Sequence, residues 1–449
     1  MDTNVNNLVN KIKNLSLEEI SKNLIFVALF ALIYRLGNFY NTFIPKPFEI
    51  IVLLIVLLVI VDIFKNNKIK ELFFSIPRDI RIAFICLVFS VLLGWGVSIL
   101  KGIPYTFNAL LEFGVFIFSL SIFLLILIYT RNDKNYVKIY FYALLLPAVY
   151  GIFVFFPKAV YYLSLGNAGT FLGLTMNPNI ISKILLIPAF FFITYSLFKS
   201  ENKWLRVRYI AVSFSLVSLL FWTASRGGLI SLLFASIFIW LVFSFNNFNW
   251  KKLFYSGLLI FVILAVGFAL TPNTGKQRVF LRILYPAGSD ASSYLAIKDK
   301  SVGYVVDKFI NDRADSPVFI NPERETRFQI WPFYFRQVWI NPLGIGPNTH
   351  FSFNLRDYNG EYINSGPHNT LLQIWLWGGL LGILSFLYIF ISAFKNLFIK
   401  LKSDFNPFTL ALLGALFAVS ISIMFDDSLG FFWFFIILAL ALRYENTTS

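Results

Sequence analysis

Apolar runs long enough to cross a lipid bilayer recur from one end of this chain to the other, near 23–43, 47–64, 82–100, 108–130, 139–157, 179–198, 209–225, 228–246, 253–271, 369–393, 407–425 and 429–442. A hydrocarbon core is crossed by about 20 apolar residues in a helix, because each backbone N–H and C=O must be satisfied within the segment itself. Composition removes the soluble alternative: with 58% hydrophobic and 14% charged residues, 54 of them Phe, there is too little polar surface to enclose a water-soluble core. The expected fold is an all-α integral membrane protein with about twelve spans, the last one short.

Basic residues give the orientation. Placing the N-terminus in the cytoplasm leaves twenty-one Lys and Arg in inner segments and three in short outer loops, Lys46, Lys101 and Lys158. That asymmetry follows the positive-inside rule and predicts both termini inside. It also accounts for most of the net charge of +15, which is spread over short loops and gives no reason to invoke nucleic acid. The single cysteine, Cys86, lies in an apolar run and excludes an intrachain disulfide. The run Leu24 to Leu32 follows Lys11, Lys13 and Lys22, yet no small-residue cleavage site comes after it, so an uncleaved first helix is expected.

Three regions result: residues 1–271 with spans one to nine, an outer segment 272–368 between spans nine and ten, and residues 369–449 with spans ten to twelve. The outer segment is far longer than a connector needs, and long ordered loops usually carry function. It opens with Thr271-Pro272-Asn273 and carries eleven basic residues. Helices are expected at 292–310 and 324–340, the second stopped by Asn341-Pro342.

The chain has only His350 and His368, no cysteine pair, no His-Glu-x-x-His, no Gly-rich lysine loop and no acidic cluster in the outer segment. A multi-histidine metal site is impossible, so metal-independent chemistry without a cofactor is the expectation. His368 stands in Ser365-Gly366-Pro367-His368-Asn369-Thr370, where the outer segment meets the tenth span. A near-neutral pKa there suits a general base, and a solvated histidine at a helix start is the plainer reading. His350, after Gly344-Ile345-Gly346-Pro347, reads as structural. Arg226, in Ser225-Arg226-Gly227-Gly228, falls at an outer junction where positive-inside bias does not place it. Its fork of donors suits phosphate, and the glycines admit a close ligand, whereas the bland alternative is a snorkelling arginine at a turn. Arg327 shares a helix face with Trp331 one turn on, or pairs with Glu323. Arg324, Arg336 and Arg356 are further cations. Arg35 and Lys183, deeper in the membrane, have Asp62 or Glu112 as potential partners in buried pairs. Together these residues suit an anionic lipid-linked donor whose diphosphate is held by guanidinium groups.

The order Ser225-Arg226-Gly227-Gly228, Arg327 with Trp331, Asn341-Pro342-Leu343-Gly344-Ile345-Gly346, then Pro367-His368-Asn369-Thr370-Leu371-Leu372-Gln373 followed by Gly378-Gly379-Leu380-Leu381-Gly382, resembles the O-antigen ligase and polymerase superfamily. Met176-Asn177-Pro178-Asn179 is also similar, and the resemblance runs from about residue 170 to 385. It implies a GT-C type glycosyltransferase in the bacterial inner membrane, acting on the periplasmic side with an undecaprenyl-diphosphate-linked glycan and no metal. Carried over, Arg226 and Arg327 would hold the diphosphate, and His368 would deprotonate the acceptor hydroxyl with inversion at the anomeric carbon. Arg324 competes with Arg327 for the second phosphate role, and Arg35, Asn369 and Trp331 complete the expected substrate-binding set.

Within that superfamily, ligases move a glycan onto lipid A core, polymerases join lipid-linked repeat units, and a third group glycosylates protein. The twelve-span plan with one large late loop leans towards the ligase. A lipid-linked-glycan transporter is the competing class; the absence of an inverted repeat and the concentration of polar residues on one side speak against it.

Overall fold

The structure, a computed structural model, describes residues 17–31, 76–102, 107–130, 134–146, 178–198, 202–246, 248–273, 327–347, 367–425 and 432–443, with a few single positions between them. In chain order the helices are α1 (Leu17–Ala31), α2 (Arg78–Leu100), α3 (Phe107–Tyr129), α4 (Lys134–Ala143), α5 (Pro178–Leu197), α6 (Lys203–Thr223), α7 (Arg226–Phe245), α8 (Trp250–Leu270), α9 (Arg327–Ile340), α10 (Thr370–Ser403), α11 (Pro407–Ile423) and α12 (Phe432–Arg443). Seven of them, α2, α3, α5 to α8 and α10, are long and apolar enough to cross a membrane. The expected spans at 23–43, 47–64 and 139–157 lie wholly or partly outside the described residues. So do the expected helix at 292–310 and most of the outer segment, while the helix expected at 324–340 is present as α9.

Two helices run well past the hydropathic spans at their polar ends. α6 begins at Lys203 instead of near 209, and α10 continues to Ser403 instead of stopping near 393. Hydropathy registers where lipid ends, whereas a helix ends where its backbone is capped or broken. Thus α6, α8, α10 and α11 start at Asn202, Asn249, Asn369 and Asn406, each side-chain oxygen accepting from a first-turn N–H. Ser225 caps α7 in the same way. Asparagine and serine are favoured N-caps because they satisfy donors that the helix cannot.

α11 and α12, with 17 and 12 described residues, cover most of the last two expected spans, 407–425 and 429–442. Both are apolar on every side, and helices of that kind are buried. They occupy the centre of the bundle. α5, α6, α7 and α8 pack together, with α5 and α7 resting on α11; α2, α3 and α10 form the other side, with α3 and α10 against α12. α11 and α12 touch each other and join the two sides.

The largest helix contact, α2 with α10, is built from glycines. Gly379 interrupts α10 with φ 61 and ψ −159, and residues 341–346 enter the gap main chain first. Ile345 N–H donates to Leu376 O (2.8 Å), Gly346 N–H to Trp377 O (3.0 Å) and Leu380 N–H to Pro342 O (2.8 Å). A Cβ on Gly379 would stand 2.5 Å from the Leu343 carbonyl carbon, and one on Gly344, at φ 82, 2.6 Å from Gly379 N. The positive φ and the crowding each exclude other residues. Gly94 of α2 closes the joint, a Cβ there standing 2.8 Å from Gly346 N. The Ser98 hydroxyl donates to Ile345 O, and Lys101 Nζ to Asn341 Oδ1 (2.7 Å). The stretch Asn341 to Gly346 is thereby clamped to the helix that starts beside His368.

Candidate functional site

Arg226 is the first residue of α7, exposed, and displayed by a tight reversal between α6 and α7. The reversal works because Ala224 takes a left-handed conformation, φ 48. The Ser225 hydroxyl accepts from Gly228 N–H (3.3 Å) and donates to Asn179 Oδ1 (2.8 Å), fixing the junction to the start of α5. A Cβ on Gly228 would stand 2.6 Å from Ser182 Cβ, so that α5 and α7 meet closely just behind Arg226. A helix N-terminus carries partial positive charge, and a guanidinium there adds to it. The combination favours an anion and disfavours a second cation.

His368 is half-buried and lies one residue before the N-cap of α10, outside the helix where sequence reasoning had expected its start. Its φ is 45. Among the described residues, Ala224 and His368 are the two non-glycines with positive φ, and both flank this region. Left-handed backbone at a non-glycine residue costs about 1–3 kcal/mol and persists where its surroundings over-determine it. Asn369, expected to bind substrate, has its side-chain oxygen occupied as the cap of α10, accepting from Leu372 N–H (3.1 Å).

Trp331 supplies part of that over-determination. Its indole N–H donates to Pro367 O (2.9 Å), the carbonyl immediately before His368. Its ring meets Phe425 at 6.2 Å between centroids. Phe425, just past the end of α11, also covers the Arg226 junction: a Cβ on Gly227 would stand 3.2 Å from Phe425 Cβ. Segments around residues 226, 331 and 368 thus gather about one phenylalanine.

Arg327 is the first residue of α9, one turn before Trp331, so the backbone bears out their shared helix; its side chain, like Arg324, Arg35, His350 and Arg356, lies outside the described residues. Arg336 is exposed further along α9. Lys183 is 2% exposed in α5, whose main neighbours are α11, α6 and α7, while Glu112 stands in α3 against α12. Sequence reasoning missed Phe425, since one Phe among 54 carries no signal. Asn179 and Ser225 each stood within a quoted motif, Met176-Asn177-Pro178-Asn179 and Ser225-Arg226-Gly227-Gly228, but their hydrogen bond was not legible.

An all-helical, multi-pass membrane protein with arginine, tryptophan and histidine segments gathered at one end of its bundle is the class that this geometry defines. Residues 210–387 match the protein family described as O-antigen ligase. The match contains Arg226, Arg327, Trp331 and His368 and stops short of Phe425. No curated protein matches the chain.

Proposed function

We propose that the protein is a metal-independent inverting glycosyltransferase that moves a glycan from undecaprenyl diphosphate to an acceptor hydroxyl at the periplasmic face of the bacterial inner membrane, with lipid A core as the acceptor. What supports this reading above all is the gathering of the Arg226 junction, Trp331 and Pro367-His368 about Phe425. Three segments separated by up to about 140 residues of chain meet where one cation, one helix N-terminus and one imidazole can serve a single substrate.

In this mechanism the His368 imidazole takes the proton of the acceptor hydroxyl, and the freed oxygen lone pair attacks the anomeric carbon. The bond from that carbon to the diphosphate oxygen breaks on the opposite side, giving inversion. The electron pair leaves with undecaprenyl diphosphate, whose added charge is stabilised by Arg226 and Arg327. Donors fixed before the reaction are worth most here because they need no reorganisation as charge develops. Trp331 positions the base by holding the preceding carbonyl, and twelve spans with both termini in the cytoplasm put the site outside.

Polymerisation needs the same leaving-group chemistry and differs only in whether a second lipid-linked repeat unit supplies the hydroxyl. The test offers purified protein in vesicles a lipid-linked repeat unit together with both acceptors. Glycosylated lipid A core is the expected product. Elongated repeat units alone would make it a polymerase, and no transfer to either, from folded protein, would overturn the proposal.

A further inference from the structure

At the end of the bundle opposite His368, α2 begins with Arg78, Asp79 and Arg81, and clustered charges mark where hydrocarbon ends. Gly94, whose absent Cβ would stand 2.8 Å from Gly346 N, lies thirteen residues further along α2, about 20 Å at a rise of 1.5 Å per residue. α10 gives a second measure. The Tyr388 hydroxyl donates to Asp79 Oδ2 (2.7 Å), and Gly379, at the gap that receives residues 341–346, is nine residues nearer His368, about 14 Å. Both distances fall inside a hydrocarbon core of about 30 Å. The turn that follows α9 is therefore at membrane depth.

Backbone that is not helical survives there only where protein covers it and its polar groups are satisfied. The turn meets both conditions. Gly344 to Pro347 are buried, Ile345 and Gly346 donate to carbonyls of α10, and Pro342 O and Ile345 O accept from Leu380 N–H and the Ser98 hydroxyl. Leu343, by contrast, is 54% exposed, next to the exposed Leu380 of α10.

α9 shows the same division. Tyr334 and Val338 are buried, whereas Phe335, Trp339 (64%) and Ile340 are exposed within one arc of about 140°. Phe335 and Trp339 pack edge-on against Trp375 of α10, 5.8 and 5.2 Å between centroids, so α9 runs beside α10 down to the turn. Arg336 is exposed on the same arc, but helical side chains tilt towards the N-terminus, which here is the end nearer Pro367. Its apolar stem lets the guanidinium rise to the headgroups.

We propose that α9 and residues 341–346 form a re-entrant element: the helix enters the leaflet nearest His368, the turn reaches the hydrocarbon, and Phe335, Trp339, Ile340 and Leu343 lie against phospholipid acyl chains. The occupant follows from depth and from continuity with the exposed surface of α10, and it does not depend on the glycosyl-transfer reading. Trp331 of the same helix holds Pro367 O, so contact with lipid and support of the His368 segment belong to one helix.

Nitroxide labels in phospholipid vesicles test this. Cys86, the single cysteine, is first replaced by serine. Labels are then carried by Trp339→Cys and Leu343→Cys, with Leu384→Cys on the exposed side of α10 as the lipid reference and Asp404→Cys, exposed in the turn after α10, as the aqueous one. Oxygen concentrates in hydrocarbon and a nickel chelate in water, so the ratio of their relaxation effects reports the surroundings of each label. At 339 and 343 the ratio is expected to match that at 384 and to exceed that at 404 several-fold. A ratio matching 404 at either position, in folded variants, overturns the proposal. Where a label unfolds the protein, a photo-reactive benzophenone residue in place of Trp339, close to indole in bulk, gives a second readout. Phospholipid adducts as abundant as at 384 are expected, and adducts as scarce as at 404 overturn the proposal. Neither measurement needs turnover, so the element stands or falls apart from the chemistry assigned to His368.

Discussion

Two joints hold the polar end of this bundle together, and they are made in different ways. At the joint between residues 341–346, Gly379 and Gly94, main chain meets main chain, with glycines on both sides and hydrogen bonds between backbone groups. Around Phe425, side chains meet: an indole on a carbonyl, a ring on a ring, a hydroxyl on an amide, with left-handed backbone carried by alanine and histidine. A backbone joint tolerates no added atoms and therefore acts as a fixed frame. A side-chain joint gives way a few tenths of an ångström at a time, which suits a place that must receive a substrate. Substitutions at the first should be read in stability, and at the second in turnover.

The largest effect that would test this division belongs to the two residues proposed to carry the chemistry. His368→Ala and Arg226→Ala should each lower transfer by about a thousandfold, the scale of removing a general base or a charge stabiliser. Melting temperature in detergent should barely move. A large fall in melting temperature would place these residues with the frame and break the comparison.

Gly379→Leu and Gly344→Val should show the opposite pattern. Strained φ and a Cβ inside van der Waals contact should together remove about 3 kcal/mol or more of stability. Thermal unfolding of purified variants checks this, and a protein that melts like wild type while losing activity would mean that the joint is part of the chemistry.

Trp331→Phe sharpens the comparison further, because it keeps the ring against Phe425 and deletes only the N–H that holds Pro367 O. About tenfold lower kcat with little change in KM is expected if the imidazole is only displaced, since small misplacements of a base are expensive in rate. Unchanged kcat would release Trp331 from any positioning role. The smallest effect expected is that of EDTA, which should leave transfer intact, and a strict requirement for added Mg²⁺ or Mn²⁺ would replace guanidinium stabilisation of the leaving group with metal chemistry.

The frame and the site were legible in the sequence to different degrees, for physical reasons. Long apolar runs such as 82–100 and 253–271 stand out because lipid selects composition over the whole length of a span. The burial of α12 inside the bundle was not legible, because apolar composition marks a helix buried in protein as readily as one facing lipid. Gly378-Gly379 and Gly344 to Gly346 were evident as glycine runs, but their mutual contact was not, since glycine signals room for a neighbour without naming it. Arg226 and His368 stood out in the sequence because each violates an expectation of its place, a cation where few basic residues are expected and a titratable ring at the edge of an apolar run. Phe425 violates nothing.

The clamp of residues 341–346 on 376–380 also has a topological meaning. It closes the intervening chain into a ring whose two ends are held by the same helix, with His368 near one end. In a ring already closed, doubling the number of residues costs only about 0.6 kcal/mol of additional chain entropy. By the same scaling, the stability of the clamp depends little on how many residues separate its two ends. Where α10 begins is then set by the clamp itself and not by the length of chain that leads up to it.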